Sequence, residues 1–231
     1  MSVEAPIAQR VALVAGGTGL TGRVLLKLLL TGGDYARILA VTRRPVPLDH
    51  PRLANRILPL EQIQAKLTGI RVNDAFCCLG APQARAGTTA QLKAVDLDLT
   101  MAFARTALGL GATRLVVVSA AGAASNAASD FLRVKAELEA ALRELRFAAV
   151  DILAPGHVTA LRPQMGAGDW IGMLRPLLNP LLRGSLAVHR SVAPADLAAA
   201  MLGAARLQRG GAHVYSGTSL QELAEAGLRR T

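Results

Sequence analysis

A strand, a glycine-rich turn and a helix follow one another near the start of the chain, and this order constrains the fold more than any other feature. The apolar run Val11–Ala15 leads into Gly16-Gly-Thr-Gly-Leu-Thr-Gly22, and Arg23–Leu30 has the pattern of an amphipathic helix. Backbone N–H groups at such a helix start can bind the pyrophosphate of a dinucleotide. The alternative is an ordinary strand-turn-helix unit that binds no ligand.

The three outer glycines of the turn have separable roles. We expect Gly16 to make the tight turn after the strand, Gly19 to let backbone approach phosphate, and Gly22 to let the helix pack against the strand. The spacing is G-x-x-G-x-x-G, which differs from the more usual G-x-G-x-x-G. The intervening residues predicted to contact the cofactor are Thr18, Leu20 and Thr21.

Two arginines follow the second predicted strand, at the place where an NAD site carries an acidic residue. That strand covers 36–42 and ends at Arg43 and Arg44. A carboxylate there accepts hydrogen bonds from the ribose, whereas a guanidinium can bind a 2′-phosphate in bidentate fashion. The pair therefore predicts NADP as the cofactor in preference to NAD. A solvated basic pair in a loop is the alternative.

Strands and helices alternate along the whole chain, which predicts an α/β, doubly wound parallel-sheet Rossmann fold. We expect one domain over residues 1–231, with a core at about 8–155 and a small C-terminal extension, 156–231, on the substrate side of the sheet. The further predicted strands are 55–59, 75–79, 114–119, 147–153 and 212–215. The further predicted helices are 61–67, 89–108, 129–145, 170–183 and 194–201.

Composition limits the compartment and the class of partner. The chain has 231 residues, of which 52% are hydrophobic, yet it shows no secretory signal and no apolar run of membrane-spanning length. Adjacent Cys77 and Cys78 have no Cys/His cluster near them, so we expect reduced core residues, no metal and a cytoplasmic protein. The net charge of +10 raises nucleic-acid binding as an alternative, but the arginines are scattered and aromatics make up only 3%.

Several stretches in the expected order resemble the extended and atypical short-chain dehydrogenase/reductase superfamily, in particular the subgroup of the HIV Tat-interacting oxidoreductase. The resembling stretches are 15–22, 75–80, 95–98, 114–120 and 131–137, which together span roughly the first two thirds of the chain. The resemblance implies a Rossmann fold, a bound NAD(P), and a Ser, Tyr and Lys site in which the tyrosine transfers the proton.

Residue by residue, this resemblance leaves the tyrosine missing. The family serine corresponds to Ser119, and the Y-x-x-x-K motif corresponds to Phe131-Leu-Arg-Val-Lys135. Residues i and i+4 share one helix face, so Phe131 and Lys135 are expected to point together toward the cleft. A phenyl ring has no proton to exchange, whereas Lys135 can still bind the nicotinamide ribose as it does in the family.

The resemblance also places Leu79, Gly80 and Pro155 at the cofactor, and His157 is the candidate replacement for the proton donor. Tyr35 and Tyr215 are expected to lie away from the cleft. The function predicted first is an oxidoreductase acting on a small carbonyl or alcohol substrate. The alternative is a non-catalytic NADP(H)-binding redox sensor or interaction module, with an unknown protein partner. Either one is expected to be a monomer or a homodimer.

Overall fold

The strands of the main sheet are all parallel, as the alternation of strands and helices predicts. A computed structural model describes residues 10–59, 62–67, 69–80, 88–158 and 191–229. The strands are β1 Val11–Ala15, β2 Arg37–Thr42, β3 Leu53–Ile57, β4 Asp74–Cys77, β5 Arg114–Val118, β6 Ala149–Leu153, β7 His157–Val158, β8 Ser191–Val192 and β9 Gly211–Tyr215. The main sheet has the order β3-β2-β1-β4-β5-β6-β9, and β7 pairs with β8.

Helices connect the strands and cover both faces of the sheet. They are α1 Leu20–Gly32, α2 Ile63–Lys66, α3 Thr89–Leu92, a π-helical segment Lys93–Leu99, α4 Thr100–Gly109, α5 Asp130–Arg143, α6 Pro194–Leu207 and α7 Thr218–Leu228. Within the described ranges, no helix is long and apolar enough to cross a bilayer.

Most predicted elements are confirmed, but several differ in extent, among them the helix predicted at 194–201, which continues to Leu207. The third strand begins two residues earlier than the predicted 55–59, and the helix predicted at 89–108 contains the π-helical segment. Helix α7 and the short β7–β8 pair were not predicted. The helix predicted at 170–183 lies outside the described residues.

Two apolar layers hold the sheet between its helices. Side chains alternate across a strand, so Ala12 and Val14 pack with α1, α6 and α7, while Leu13 and Ala15 pack with α2, α4 and α5. Because both faces are covered, the central strands are mostly apolar on both faces rather than alternating. The two cysteines follow the same rule, with Cys77 in one layer and Cys78 against the other.

A buried polar network closes the sheet at the amino ends of its strands. The Arg114 guanidinium donates to the carboxylate of Asp151, which has 0% exposure. Asp74 accepts from Arg10 at 2.5 Å and from the Tyr35 hydroxyl at 2.6 Å. The buried charges are thus paired and hydrogen-bonded, as burial requires.

Helices α6 and α7 touch through their backbones at two glycines. A Cβ added to Gly203 would lie 1.9 Å from the carbonyl oxygen of Leu223, and one added to Gly227 would lie 1.9 Å from that of Ala199. Real side-chain carbons do not come this close to backbone oxygen, so either substitution must push the helices apart. This contact fixes the position of the C-terminal helices over α1.

We therefore expect Gly203→Ala to destabilise the fold. Overpacking of this kind costs about 1–3 kcal/mol, which exceeds the gain of about 1 kcal/mol from the higher helix propensity of alanine. Urea denaturation measures the change, and Gln221→Ala on the exposed surface of α7 is the control. A Gly203→Ala variant as stable as the wild type would contradict the contact.

Candidate functional site

The carboxyl ends of the central strands meet at one edge of the sheet and bring the predicted site residues together. The glycine turn follows β1, Arg43 follows β2, and Leu79 and Gly80 follow β4. Ser119 follows β5, and Pro155 lies two residues beyond β6. Open parallel sheets bind their ligands at this edge.

The backbone of the glycine turn is too close to its neighbours to carry side chains at two positions. Gly16 has φ of +78°, and a Cβ on it would lie 2.5 Å from the carbonyl oxygen of Cys78. A Cβ on Gly22 would lie 2.2 Å from the carbonyl oxygen of Gly16. Gly22 thus packs helix α1 against the turn itself, whereas the sequence led us to expect the strand.

Gly19 differs from the other two because the fold alone does not require a glycine there. Its φ of −75° is open to any residue, and the nearest atom to an added Cβ is the Gly16 carbonyl oxygen at 3.2 Å. Gly19 is exposed, and its N–H donates to that oxygen at 2.9 Å. Among the described residues, no other atom lies within 4 Å of that added Cβ.

Helix α1 begins without the side-chain cap that usually satisfies its first N–H groups. Gly19 is the N-cap, no side chain caps the helix, and its first turn contains no acidic residue. The first N–H groups of a helix and its dipole attract an anion. Thr18 and Thr21 are half-buried and Leu20 is 42% exposed beside this start. Arg23 lies over the turn and donates to the carbonyl oxygen of Thr18 at 2.9 Å.

Arg43 and Arg44 are both exposed directly after β2, the strand beside β1. Val41 pairs with Ala15, so Arg43 lies two residues past the register position that ends β1. Neither guanidinium makes a hydrogen bond or ion pair with another residue of the described part of the chain. Both exposed guanidinium groups are thus available to a ligand at this edge of the sheet.

Lys135 is almost fully buried and forms an ion pair that the sequence does not predict. Its ammonium group donates to the carboxylate of Asp96, and the two side chains are 4% and 0% exposed. Asp96 stands in the π-helical segment. The Phe131 ring lies 5.6 Å from the Lys135 Nζ, which confirms that these two side chains meet. A Cβ on Gly80 would lie 3.8 Å from the same Nζ, so Gly80 borders the pair.

Ser119 takes part in a different pair. Its hydroxyl donates to Oε1 of Glu139 at 2.6 Å, and both residues are buried. The other carboxylate oxygen of Glu139 lies 3.3 Å from the Arg143 guanidinium. The structure therefore brings Phe131 and Lys135 together but engages the Ser119 hydroxyl elsewhere.

The other candidates at this edge have structural contacts. The carbonyl oxygen of Pro155 accepts from the N–H of Ala121 at 2.9 Å, and half-buried His157 pairs with Ser191 in the β7–β8 sheet. Burial raises the pKa of the Cys77 thiol to about 11, so this thiol stays protonated near neutral pH. The part of the chain that the structure describes contains no group of residues able to hold a metal ion.

Tyr35 precedes β2 and lies away from this edge, as expected, whereas Tyr215 ends β9 in register with Leu153 and so stands at the carboxyl edge, contrary to expectation. Tyr35 donates to Asp74, and Tyr215 donates to Asp151 at 3.2 Å. Burial, followed by the nearby carboxylate, raises the pKa of both phenols. Neither hydroxyl can therefore replace a proton donor at position 131.

Sequence reasoning missed Asp96 and Glu139. Each is an acidic residue beside apolar residues of a helix, and Glu139 stands four residues after Lys135, on the same helix face. An acidic residue beside apolar residues of a helix is the available sequence signal for a functional carboxylate. It does not identify the partner of either carboxylate.

Comparison with known proteins identifies relatives of the whole arrangement. No family model matches the chain. Protein HTATIP2 from Rattus norvegicus is 27% identical over 162 residues, which are 68% of this chain and 66% of the relative. Protein FMP52, mitochondrial, from Chaetomium globosum is 30% identical over 172 residues, which are 71% of this chain and 74% of the relative. The match to HTATIP2 thus spans just under two thirds of that protein.

Solved structures with the same fold are numerous. A short-chain dehydrogenase/reductase family oxidoreductase from Burkholderia thailandensis has a TM-score of 0.65 at 21% identity, covering 94% of this chain and 98% of that one. MoeE5 in complex with UDP-glucose and NAD has a TM-score of 0.65 at 20% identity, covering 95% and 83%. These likenesses confirm the Rossmann fold. The homology to HTATIP2 and FMP52, the latter 30% identical over 74% of its length, shows that the chain belongs to the short-chain dehydrogenase/reductase superfamily, in the group of those two proteins.

Proposed function

We propose that this protein binds NADP(H) and is an oxidoreductase acting on a small carbonyl or alcohol substrate. The observation that carries the proposal is the start of α1 at exposed Gly19, which no side chain of the described residues caps, together with two exposed arginines that have no partner in the same part of the chain. A dinucleotide phosphate fits these groups, because the helix start supplies N–H donors and the arginines supply positive charge. The solved MoeE5 complex contains NAD in a protein of the same fold.

Different residues of this chain would bind different parts of such a cofactor. The backbone from Thr18 to Thr21 would hold the pyrophosphate, and Arg43 with Arg44 would hold the 2′-phosphate. Leu79, Gly80 and Pro155 border the edge where the nicotinamide half would lie. The nicotinamide, when bound, supplies or accepts a hydride.

Lys135 is the residue proposed to bind the nicotinamide ribose. Its ammonium group pairs with the carboxylate of Asp96 in a buried place, where an opposite charge offsets the cost of desolvation. Lys135 can therefore donate hydrogen bonds, while Asp96 offsets its positive charge. The charge of Lys135 would favour the phenolate of a tyrosine introduced at position 131, and the ion pair with Asp96 weakens that effect.

Proton transfer separates the two candidate functions. Phe131 faces Lys135 without an exchangeable proton, and Ser119 donates to Glu139. This arrangement specifically favours the second candidate, a non-catalytic NADP(H)-binding redox sensor or interaction module. The substrate, a protein partner and the oligomeric state stay predictions, as does cytoplasmic location, since the FMP52 relative is named mitochondrial.

Cofactor preference tests the arginine pair. We expect the wild type to bind NADPH more tightly than NADH, and Arg43→Ala to lose affinity for NADPH alone. Each charge-assisted hydrogen bond to phosphate contributes about 1.5–3 kcal/mol, which corresponds to roughly tenfold or more. Calorimetric titration with both cofactors measures this. Arg37→Ala, at the other end of the same strand, is the control, and equal wild-type affinities for the two cofactors would contradict NADP preference.

Backbone approach at Gly19 is tested by Gly19→Val. The backbone there suits a β-branched residue, so we expect a folded protein whose side chain blocks the phosphate. Thermal unfolding with and without NADPH should show the cofactor-induced rise in Tm for the wild type and little or none for the variant. Gly22→Ala is the contrasting variant, because its Cβ must displace Gly16 and lower stability without any ligand. An undiminished NADPH effect in Gly19→Val would place the phosphate elsewhere.

The role of position 131 is tested by Phe131→Tyr. The wild type should bind NADPH yet reduce generic carbonyl compounds poorly, and the variant should gain NADPH-dependent reduction with little change in NADPH affinity. A positioned general acid contributes about a hundred- to ten-thousand-fold. Steady-state rates on a carbonyl panel, beside calorimetric NADPH binding, measure both quantities. Fast wild-type turnover that the substitution leaves unchanged would direct the search to His157 or to the substrate.

A further inference from the structure

A small cavity lies beside the Ser119–Glu139 pair at the substrate edge of the sheet. Its volume is about 150 Å³, and its walls come mainly from the residues 120–123 after β5 and from Ala154 after β6. Val214 and Ser216 close the side formed by β9. The cavity adjoins the proposed nicotinamide end of the site, since the N–H of Ala121 donates to Pro155.

Glu139 determines which kind of ligand this cavity can bind. It is the one ionisable side chain among the described lining residues, and the other walls are mostly methyl groups and backbone. Its carboxylate accepts from Ser119 and from Arg143, whereas an ionised carboxylate has about four acceptor positions. A hydrogen-bond acceptor with negative charge therefore borders an otherwise apolar space.

We infer that this cavity binds a protonated nitrogen of the substrate, as an ammonium or iminium group held by Glu139. A charge-assisted hydrogen bond to a carboxylate is roughly twice as strong as a neutral one, and low surrounding polarity strengthens it. Arg143 already offsets part of the charge of Glu139. Its side chain is 42% exposed, however, so this offset is only partial.

The inference rests on the proposed oxidoreductase function and extends its substrate class from C=O to C=N compounds. An iminium ion carries its proton before reduction. When a nicotinamide hydride forms the new C–H bond, the π electrons of C=N become the lone pair of the amine, and no proton is drawn from the protein. With such a substrate, turnover does not need a proton donor at position 131, where Phe131 stands.

The test compares two five-membered rings that differ in charge, pyrrolidinium and cyclopentanol, titrated calorimetrically into NADP⁺-saturated protein. We expect the wild type to bind pyrrolidinium at least about tenfold more tightly. Glu139→Gln keeps an oxygen for Ser119 but removes the charge, so the preference should fall to near one. Arg143→Gln removes the competing cation, so pyrrolidinium affinity should rise several-fold.

Opposite responses of the two variants separate a direct contact from a general effect on folding. A preference that persists in Glu139→Gln, or an absence of pyrrolidinium binding to the wild type, would overturn the inference. Should Glu139→Gln not fold, Arg143→Gln still decides, because unchanged or weaker pyrrolidinium binding there contradicts a role for the carboxylate charge.

Two further measurements distinguish a failure of this inference from a failure of the proposed function. NADPH binding is measured first for each variant, and its absence in the wild type would overturn the proposed function itself. With NADPH bound, the wild type should reduce the cyclic imine 1-pyrroline faster than cyclopentanone. The reverse order of rates would contradict the inference while leaving NADPH binding intact.

Discussion

Close backbone approach at the first turn is the constraint on which the rest of the structure depends. The Gly16 carbonyl oxygen meets the α-carbon of Gly22, and Gly16 itself faces the carbonyl oxygen of Cys78 after β4. These contacts fix the start of α1 against two neighbouring strands at once. Because the start of α1 is fixed there, its first N–H groups point over the carboxyl edge of the sheet. Every other proposed site residue is placed relative to that edge.

Helix α5 organises the second half of the site through side chains one turn apart. Phe131, Lys135 and Glu139 follow each other at four-residue intervals, so they form one stripe along the helix. The stripe meets different partners along its length. Lys135 meets Asp96 from the π-helical segment, and Glu139 meets Ser119 from the end of β5. A single helix face thus borders both the proposed nicotinamide position and the small cavity.

The π-helical segment shows why local pattern predicts a helix but not its chemistry. The residues from Thr89 to Leu108 predict one continuous helix, and the helical region is present. Within it, the wider π turn carries Asp96, a carboxylate with 0% side-chain exposure. Burial of an ionised group costs several kcal/mol unless a partner offsets it. The partner, Lys135, is 39 residues away in the sequence, so no local sequence pattern predicts this ion pair.

The sequence by itself determined the glycine turn, the parallel sheet and the meeting of Phe131 with Lys135, because each follows from spacing within one element or from its alternation with the next. The sequence did not determine that Ser119 contacts Glu139 rather than Lys135. Nor did it determine that α7 packs on α6 through Gly203, or that the Tyr215 side chain packs into the core. Those outcomes depend on distances between residues far apart in the chain. These distances are set only in the folded protein, when the strands are ordered in the sheet and helices cover both of its faces.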